Sequence, residues 1–375
     1  MSGTVGIVVF VVAILLVILI HEAAHFALAK AFKIKVEEFF VGFGPRLWSF
    51  RRGETEYGVK AFPLGGYVRI AGMNPYEEIT PEDFPHTYGA KPAWQRALVI
   101  FAGPATHFVI AFFLFAAFFG FFGQPKVVAP LIGAVQPRIA GHPSPATVAG
   151  LHPGDEVVQV AGLRNPSRHQ FIAFTKAHVN RPIHLVVDRD GRRLAFTVTP
   201  VYDPEEKRAR IGVSVEAGTV LVSRKEGLVG SFVVGAKQIG EVVKQTVLSL
   251  GRVFGPQGIG RMFDLLFGGA QRTPNDPVGT VGVARAAGDI TSAFGAGALV
   301  FLLAGVNVFV GILNLIPLPP FDGGHLAVVA WEKIRRRKVD ARKLIPLTAV
   351  VVAFLMIWFV SITFLDIFRP IQITP

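Results

Sequence analysis

The motif His21-Glu22-Ala23-Ala24-His25 directly follows an uncharged apolar run over residues 6–20. The chain must therefore bury three ionisable groups where hydrocarbon is the alternative solvent. Each such group costs about 2.5–3.5 kcal/mol near the centre of a spanning helix, so the motif needs a compensating partner. Residues four apart stack on one helix face, which lets His21 and His25 present ring nitrogens to one Zn²⁺. Glu22 then stands beside the metal, placed to act as general base toward the water it activates.

With 51% hydrophobic residues, 17% charged residues and 33 Phe in 375, the chain is too apolar for a single water-soluble domain. The absence of cysteine excludes disulfides and thiolate ligands, leaving His and carboxylate to hold any metal. A net charge of +12 would suit nucleic acid, but much of the excess borders the apolar spans. Anionic lipid headgroups and cytoplasmic retention explain it better, and no nucleic-acid partner is expected.

Four segments reach the roughly 20 residues needed to cross a bilayer: 3–32, 97–123, 294–316 and 344–368. The first has no basic leader and is read as a retained span. Lys333, Arg335, Arg336, Arg337, Lys338, Arg342 and Lys343 crowd the link between the last two spans, which makes that link cytoplasmic. Both termini and the region from 124 to about 292 are then extracytoplasmic. At 1.5 Å per residue, His21 and His25 lie roughly 8–18 Å inside from Lys30–Lys33, nearer the cytosol than the midplane.

Within the large outer region, 183–187 and 194–198 read as strands joined at Asp190-Gly191. Residues 144–162 combine a short helix, a Pro-Gly turn and an alternating strand, and resemble a PDZ-domain core. Over 230–249, apolar residues recur at helical period opposite Lys237, Glu241 and Lys244. That pattern fits an amphipathic helix on the outer membrane surface or capping the catalytic part, or a core helix packed on the PDZ-like domain.

A catalytic zinc site needs a third protein ligand. Asp322, at the cytoplasmic end of the third span, is the best candidate because its depth matches that of His21 and His25. Pro317, Pro319 and Pro320 break the helix just ahead of it, and Gly323-Gly324 is expected to let the backbone pass close to the metal.

With these motifs the chain resembles the site-2 proteases, intramembrane zinc metalloproteases, in their bacterial PDZ-containing form. The stretch from Asn314 through Pro317, Pro319 and Asp322 to Gly324 is similar to the family's Asn-Pro-Asp-Gly segment. Residues 62–68, with Gly65, Gly66, Tyr67 and Val68, resemble its membrane-associated loop, 42–45 a preceding hairpin, and Ala102-Gly103-Pro104 a helix-packing element. The resemblance implies His21, His25 and Asp322 as zinc ligands, Glu22 as acid/base, and Asn314 with Gly65–Val68 as substrate-binding residues. It departs in having one PDZ-like domain and an apparent insertion over 139–143.

The fold expected is a polytopic α-helical membrane protein with about four transmembrane helices, a membrane-associated β-hairpin region and one extracytoplasmic PDZ-like α+β domain. Its parts would be 1–123, 124–220, 221–292 and 293–375. The resemblance further implies residence in the bacterial cytoplasmic (inner) membrane. The substrates would be membrane-anchored proteins such as anti-sigma factors or signal-peptide remnants, cut by regulated intramembrane proteolysis. His107, in the second span, reads as an interhelical hydrogen-bonding residue in preference to a site residue. His325 reads as either site or membrane boundary, and His142, His152, His169, His178 and His184 as structural or exposed. A transporter would show paired repeats with matched broken helices, which are missing, and a scaffold would not require Glu22.

Overall fold

The computed structural model describes residues 2–371 except 75, 124–129, 165, 205, 207, 217–226 and 274–275. It divides into two compact units, Met1–Phe122 with Glu226–Pro375, and Gly123–Lys225. The expected boundaries at 124 and at 220–221 lie outside the described residues.

Unit 1 begins with α1 (Gly3–Ala31), whose N-terminus is capped by the Ser2 side chain and which carries the His-Glu motif in its last third. Strands β1 (Val36–Arg52) and β2 (Thr55–Ile70) follow. The tight turn between them falls at Gly53-Glu54, and the expected hairpin at 42–45 is instead a bend within β1, where Gly42 and Gly44 take positive φ. That bend gives the first half of β1 a neighbour on each side: Phe39 pairs with Val68 and with Tyr57. From one edge the sheet therefore reads 66–70, 36–41, 56–59, 46–52. Helix α2 (Ala93–Phe121) then runs with Pro104 in its interior.

Unit 2 contains β3 (Leu131–Val135), β4 (Arg138–Ile139), β5 (His142–Pro143), α3 (Pro145–Ala149), β6 (Glu156–Val160) and β7 (Leu163–Arg164). It continues with α4 (Arg168–Ala177), β8 (Ile183–Arg189), β9 (Arg192–Val198), β10 (Val201–Asp203), β11 (Arg208–Arg210) and β12 (Val213–Glu216). Its main sheet has the order β12-β3-β6-β8-β9, with β7 paired to β6. Asp190 and Gly191, both at positive φ, make the β8–β9 turn. Ile132, Leu151, Val157, Phe171, Leu185 and Val187 are buried in its core.

After unit 2 the chain returns to unit 1 with α5 (Leu228–Val253), α6 (Pro256–Leu266), α7 (Thr280–Phe294), α8 (Ala296–Asn314), α9 (Asp322–Arg335) and α10 (Ile345–Phe368). Among the described residues, four helical segments are long and apolar enough to span a membrane: Gly3–Ala31, Ala93–Phe121, Ala296–Asn314 and Ala341–Phe368. Helix α5 is amphipathic as its pattern predicts, but it packs along α2 and α8. Val234, Ile239 and Val243 pack against a cluster that includes Phe115 and Phe118 of α2 and Ala304 and Val308 of α8, and Gly235 brings the backbones close, since a Cβ there would stand 3.1 Å from Ala116 N. The helix is thus part of unit 1, packed against two of its membrane-length helices. Helix α9 is a further element that the dense basic charge of its link conceals. Its inner face contributes Val329 to a cluster with Ala29, Val36, Val99 and Ile100, and Glu332 pairs with Arg96 of α2 at 2.7 Å.

One buried ion pair organises unit 2. Asp155 is fully buried, receives Arg189 Nε at 2.6 Å and Nη2 at 2.8 Å, and accepts the His152 N–H at 2.8 Å. Burial alone would raise its carboxyl pKa, but Arg189 and the His152 amide hold it below the usual carboxylate range. Because the folded pKa is the lower one, the stabilisation is complete above about pH 4 and is lost as pH falls through the folded value. Asp155→Ala should destabilise unit 2 by about 3–5 kcal/mol. Hydrogen exchange should rise across 131–216 while the metal content of the protein stays unchanged.

Candidate metal centre

The His-Glu motif is on α1 because that segment has no proline between residues 3 and 31, so His21 and His25 fall on one face and are both buried. Asp322 arrives from the other end of the chain as the first residue of α9. Its backbone is positioned by a loop over 315–321 that folds back on the start of α9. A Cβ on Gly323 would lie 2.3 Å from Ile316 O, and one on Gly324 would lie 2.6 Å from Pro319 N. These glycines thus admit the close return of their own loop.

The three side chains converge. His21 Nε2 and His25 Nε2 are 3.1 Å apart, and Asp322 Oδ2 is 3.2 Å from the first and 3.5 Å from the second. Ligand atoms held about 2.0–2.1 Å from a tetrahedral zinc ion stand about 3.3 Å from one another, so the spacing suits that ion. Asp322 Oδ2 is also buried without a hydrogen-bond partner, an expensive state unless a cation compensates it. His25 Nδ1 donates to Val99 O at 2.8 Å, which leaves its Nε2 as a lone pair aimed at the other two atoms. The donor set and its geometry fit zinc. Among the described residues no other His, Asp and Glu side chains converge in this way.

Helix α2 supplies the wall. A Cβ on Gly103 would stand 2.2 Å from His25 Nε2 and 2.7 Å from His21 Cε1, so only a glycine fits against the triad. Pro104 has no N–H for the Ile100 carbonyl, so one bond of the α2 ladder is missing next to Gly103. The sequence marks Gly103 only as a packing element, yet it lies in van der Waals range of the proposed ligands.

Glu22 extends along the opposite side, toward the sheet. Gly66 passes so close that a Cβ on it would be 3.5 Å from Glu22 Cγ, and the Val68 backbone N–H faces the Glu22 carboxylate. Gly65 lies against Ile18, one turn before Glu22 on the same face. The Tyr67 side chain is engaged elsewhere, donating its hydroxyl to Glu38 and accepting from Lys60. Asn314 closes α8, half-buried, and makes no hydrogen bond to the triad among the described residues.

His107 lies next to the site: His21 Nδ1 and His107 Nε2 are 3.1 Å apart, and His107 Nδ1 is 3.3 Å from Asn307 Oδ1 on α8. It is thus an interhelical hydrogen-bonding residue and a neighbour of the triad at once. Asn307 is absent from the sequence-derived site, although a lone amide two turns before Asn314 in an apolar span is a visible signal. His325 lines a cavity of about 700 Å³ together with Pro319, Trp331 and Leu344. In unit 2, His178 Nδ1 donates to Phe174 O and His184 pairs with Thr197, in keeping with structural roles.

A sequence profile described as "Peptidase family M50" matches residues 9–358. The chain belongs to peptidase family M50. This M50 peptidase is 34% identical to the zinc metalloprotease Rip1 of Mycolicibacterium smegmatis over 404 aligned residues, covering 98% of each chain. It is likewise 34% identical to Rip1 of Mycobacterium tuberculosis over 408 residues, again covering 98% of each. It is 30% identical to the metalloprotease MmpA of Caulobacter vibrioides over 378 residues and 90% of each chain. The M50 peptidase is a site-2-type metalloendopeptidase, the class that the motifs on α1 and α9 imply.

Gly103→Ala should expel the metal by displacing both imidazoles. We expect affinity to fall at least about 100-fold, the upper end of the effects seen when support around a ligand is lost. Metal analysis of the purified protein checks this, with Gly305→Ala as control, since a Cβ at that span glycine meets nothing within 4 Å.

Proposed function

We propose that the M50 peptidase is a zinc-dependent endopeptidase cutting within the membrane-spanning segments of anchored proteins, with His21, His25 and Asp322 as ligands and Glu22 as acid/base. The observation that carries this reading is the meeting of two imidazole nitrogens and an unpartnered carboxylate oxygen among apolar helices. Zinc in that position would supply a Lewis acid and make water nucleophilic at neutral pH. Glu22 takes the proton from the attacking water and returns it to the leaving amine. The buried walls, including Gly103 and His107, limit water to what the reaction consumes.

A substrate helix hides its amides in its own hydrogen-bond ladder and must unwind before it can be cut. The sheet edge at 66–70 pairs with β1 on one side only and runs past Glu22 on the other. Gly65, Gly66, Tyr67 and Val68 would hold the unwound strand through their backbones, by strand addition. Asn314 is assigned to the same task, at the end of α8 that leads into the Asp322 loop. Leu47, Trp48 and Phe50 on the far strand are exposed, residue types that favour the membrane interface and support its association with the bilayer.

Unit 2 is read as the PDZ-like domain, approximately 124–220, followed by linker helices to 292 and the last two spans from 293. A groove of about 300 Å³ between α4 and β11–β12 supports this, with β12 at the sheet edge. Arg168, Lys176, Arg208 and Arg210 line it, which favours capture of a carboxyl terminus over a simple size filter. The basic link after α9 supports a cytoplasmic position for that end, with both termini and unit 2 outside. Substrates would be membrane-anchored proteins of the bacterial inner membrane, anti-sigma factors or signal-peptide remnants among them.

Glu22→Gln should keep zinc at the wild-type level and lower cleavage of a single-span substrate by about 10²–10⁴-fold. Loss of zinc together with activity would reassign Glu22 to metal binding. Because the chain has no cysteine, single introduced thiols report topology without background. Arg337→Cys should be reached by a membrane-impermeant reagent only after lysis, and His169→Cys in intact spheroplasts. The reverse pattern would invert the orientation.

A further inference from the structure

We propose that His107 and Asn307 are positioning residues that fix the tautomer and aim of His21, so that its Nε2 is held as a bare lone pair facing the metal position. The inference rests on His21 being a ligand and adds two residues to the site that neither the His-Glu motif nor the Asn-Pro-Asp-Gly stretch contains.

The direction of each proton follows from one fixed point. Asn307 Nδ2 donates to the Leu303 carbonyl at 2.8 Å, and a carbonyl can only accept. The Asn307 amide oxygen must therefore face His107 Nδ1, 3.3 Å away, so Nδ1 carries the His107 proton. A neutral imidazole has one N–H, which makes His107 Nε2 an acceptor. At 3.1 Å it faces His21 Nδ1, so Nδ1 carries the His21 proton. His21 Nε2 is left unprotonated, directed at His25 Nε2 and Asp322 Oδ2. Reversing any link would set two acceptors or two donors against each other.

His107 and Asn307 are each only 1% exposed, so water cannot take over for either. Their surroundings hold the geometry: Gly311 lies so close to α2 that a Cβ there would stand 3.1 Å from His107 Cβ. The two ligands are thus oriented by different means. His25 uses a backbone carbonyl of α2, whereas His21 uses two side chains that pass the constraint from α8 through α2 to α1. A general interhelical bond would have no reason to end on a metal ligand or to run in one direction.

The test compares His107→Leu, which removes the acceptor, with His107→Gln, whose amide can accept from His21 and donate to Asn307. Zinc release to a chelator from purified full-length protein in detergent is the readout, beside proteolysis. The leucine variant should release zinc about 10–100-fold faster than wild type, and the glutamine variant should recover most of the difference. If His107→Leu fails to fold, Asn307→Ala gives the same readout from a residue that does not touch His21, and it too should speed release. A folded His107→Leu or Asn307→Ala protein with wild-type release overturns the proposal, as does an equal loss in the leucine and glutamine variants. A wild-type protein that binds no zinc would instead remove the ligand set, and this proposal with it.

Discussion

Two imidazole nitrogens and a carboxylate oxygen brought within 3.5 Å of one another form the constraint around which unit 1 is arranged. In water such a cluster would be solvated, but among apolar helices it is tolerable only if a cation occupies its centre. The three side chains come from two structural circumstances. His21 and His25 share one helix face, while Asp322 reaches them from the N-terminus of α9, where the positive end of the helix favours a carboxylate. The large number of close backbone approaches nearby, at Gly66, Gly103, Gly323 and Gly324, follows from the need to pack three helices and a sheet edge around so small a volume.

The most legible parts of the sequence were those governed by a single local rule. Hydropathy alone located the four helices long and apolar enough to span a membrane to within a few residues, because a run of about 20 residues with so few charges is rare outside such helices. Spacing of four picked out His21 and His25, and matching depth selected Asp322. The Asp190-Gly191 turn was visible because both positions require positive φ, which few residue pairs tolerate.

What the sequence did not reveal depends on contacts between distant segments. The β1–β2 sheet is folded so that Phe39 has neighbours on both sides, a register set by the bend at Gly42 and Gly44 and not by alternation along either strand. Helix α5 shows its amphipathic pattern plainly, but the identity of the surface it meets depends on Ala116 and Phe115 of α2. Helix α9 was hidden beneath the dense basic charge of its link. Asn307 had no motif to attach to, since its partner His107 lies 200 positions away.

The ion pair between Arg96 and Glu332 connects these levels. Arg96 lies near the start of α2 and Glu332 near the end of α9, both largely buried, with the Arg96 guanidinium also over the Tyr88 ring. Surface pairs of this kind contribute little, but a buried one penalises any motion that separates its partners, because each charge would then be left alone. Helix α2 carries Gly103 and His107, and α9 carries Asp322. Holding the two helices together at Arg96–Glu332 therefore limits how far Asp322 can move from the imidazoles. A loop rich in proline would not by itself keep a carboxylate oxygen within a few tenths of an ångström of a ligand position. Its precision comes from α9 being a helix anchored at its far end by Glu332, which makes the start of the basic link part of the framework that holds Asp322 in place.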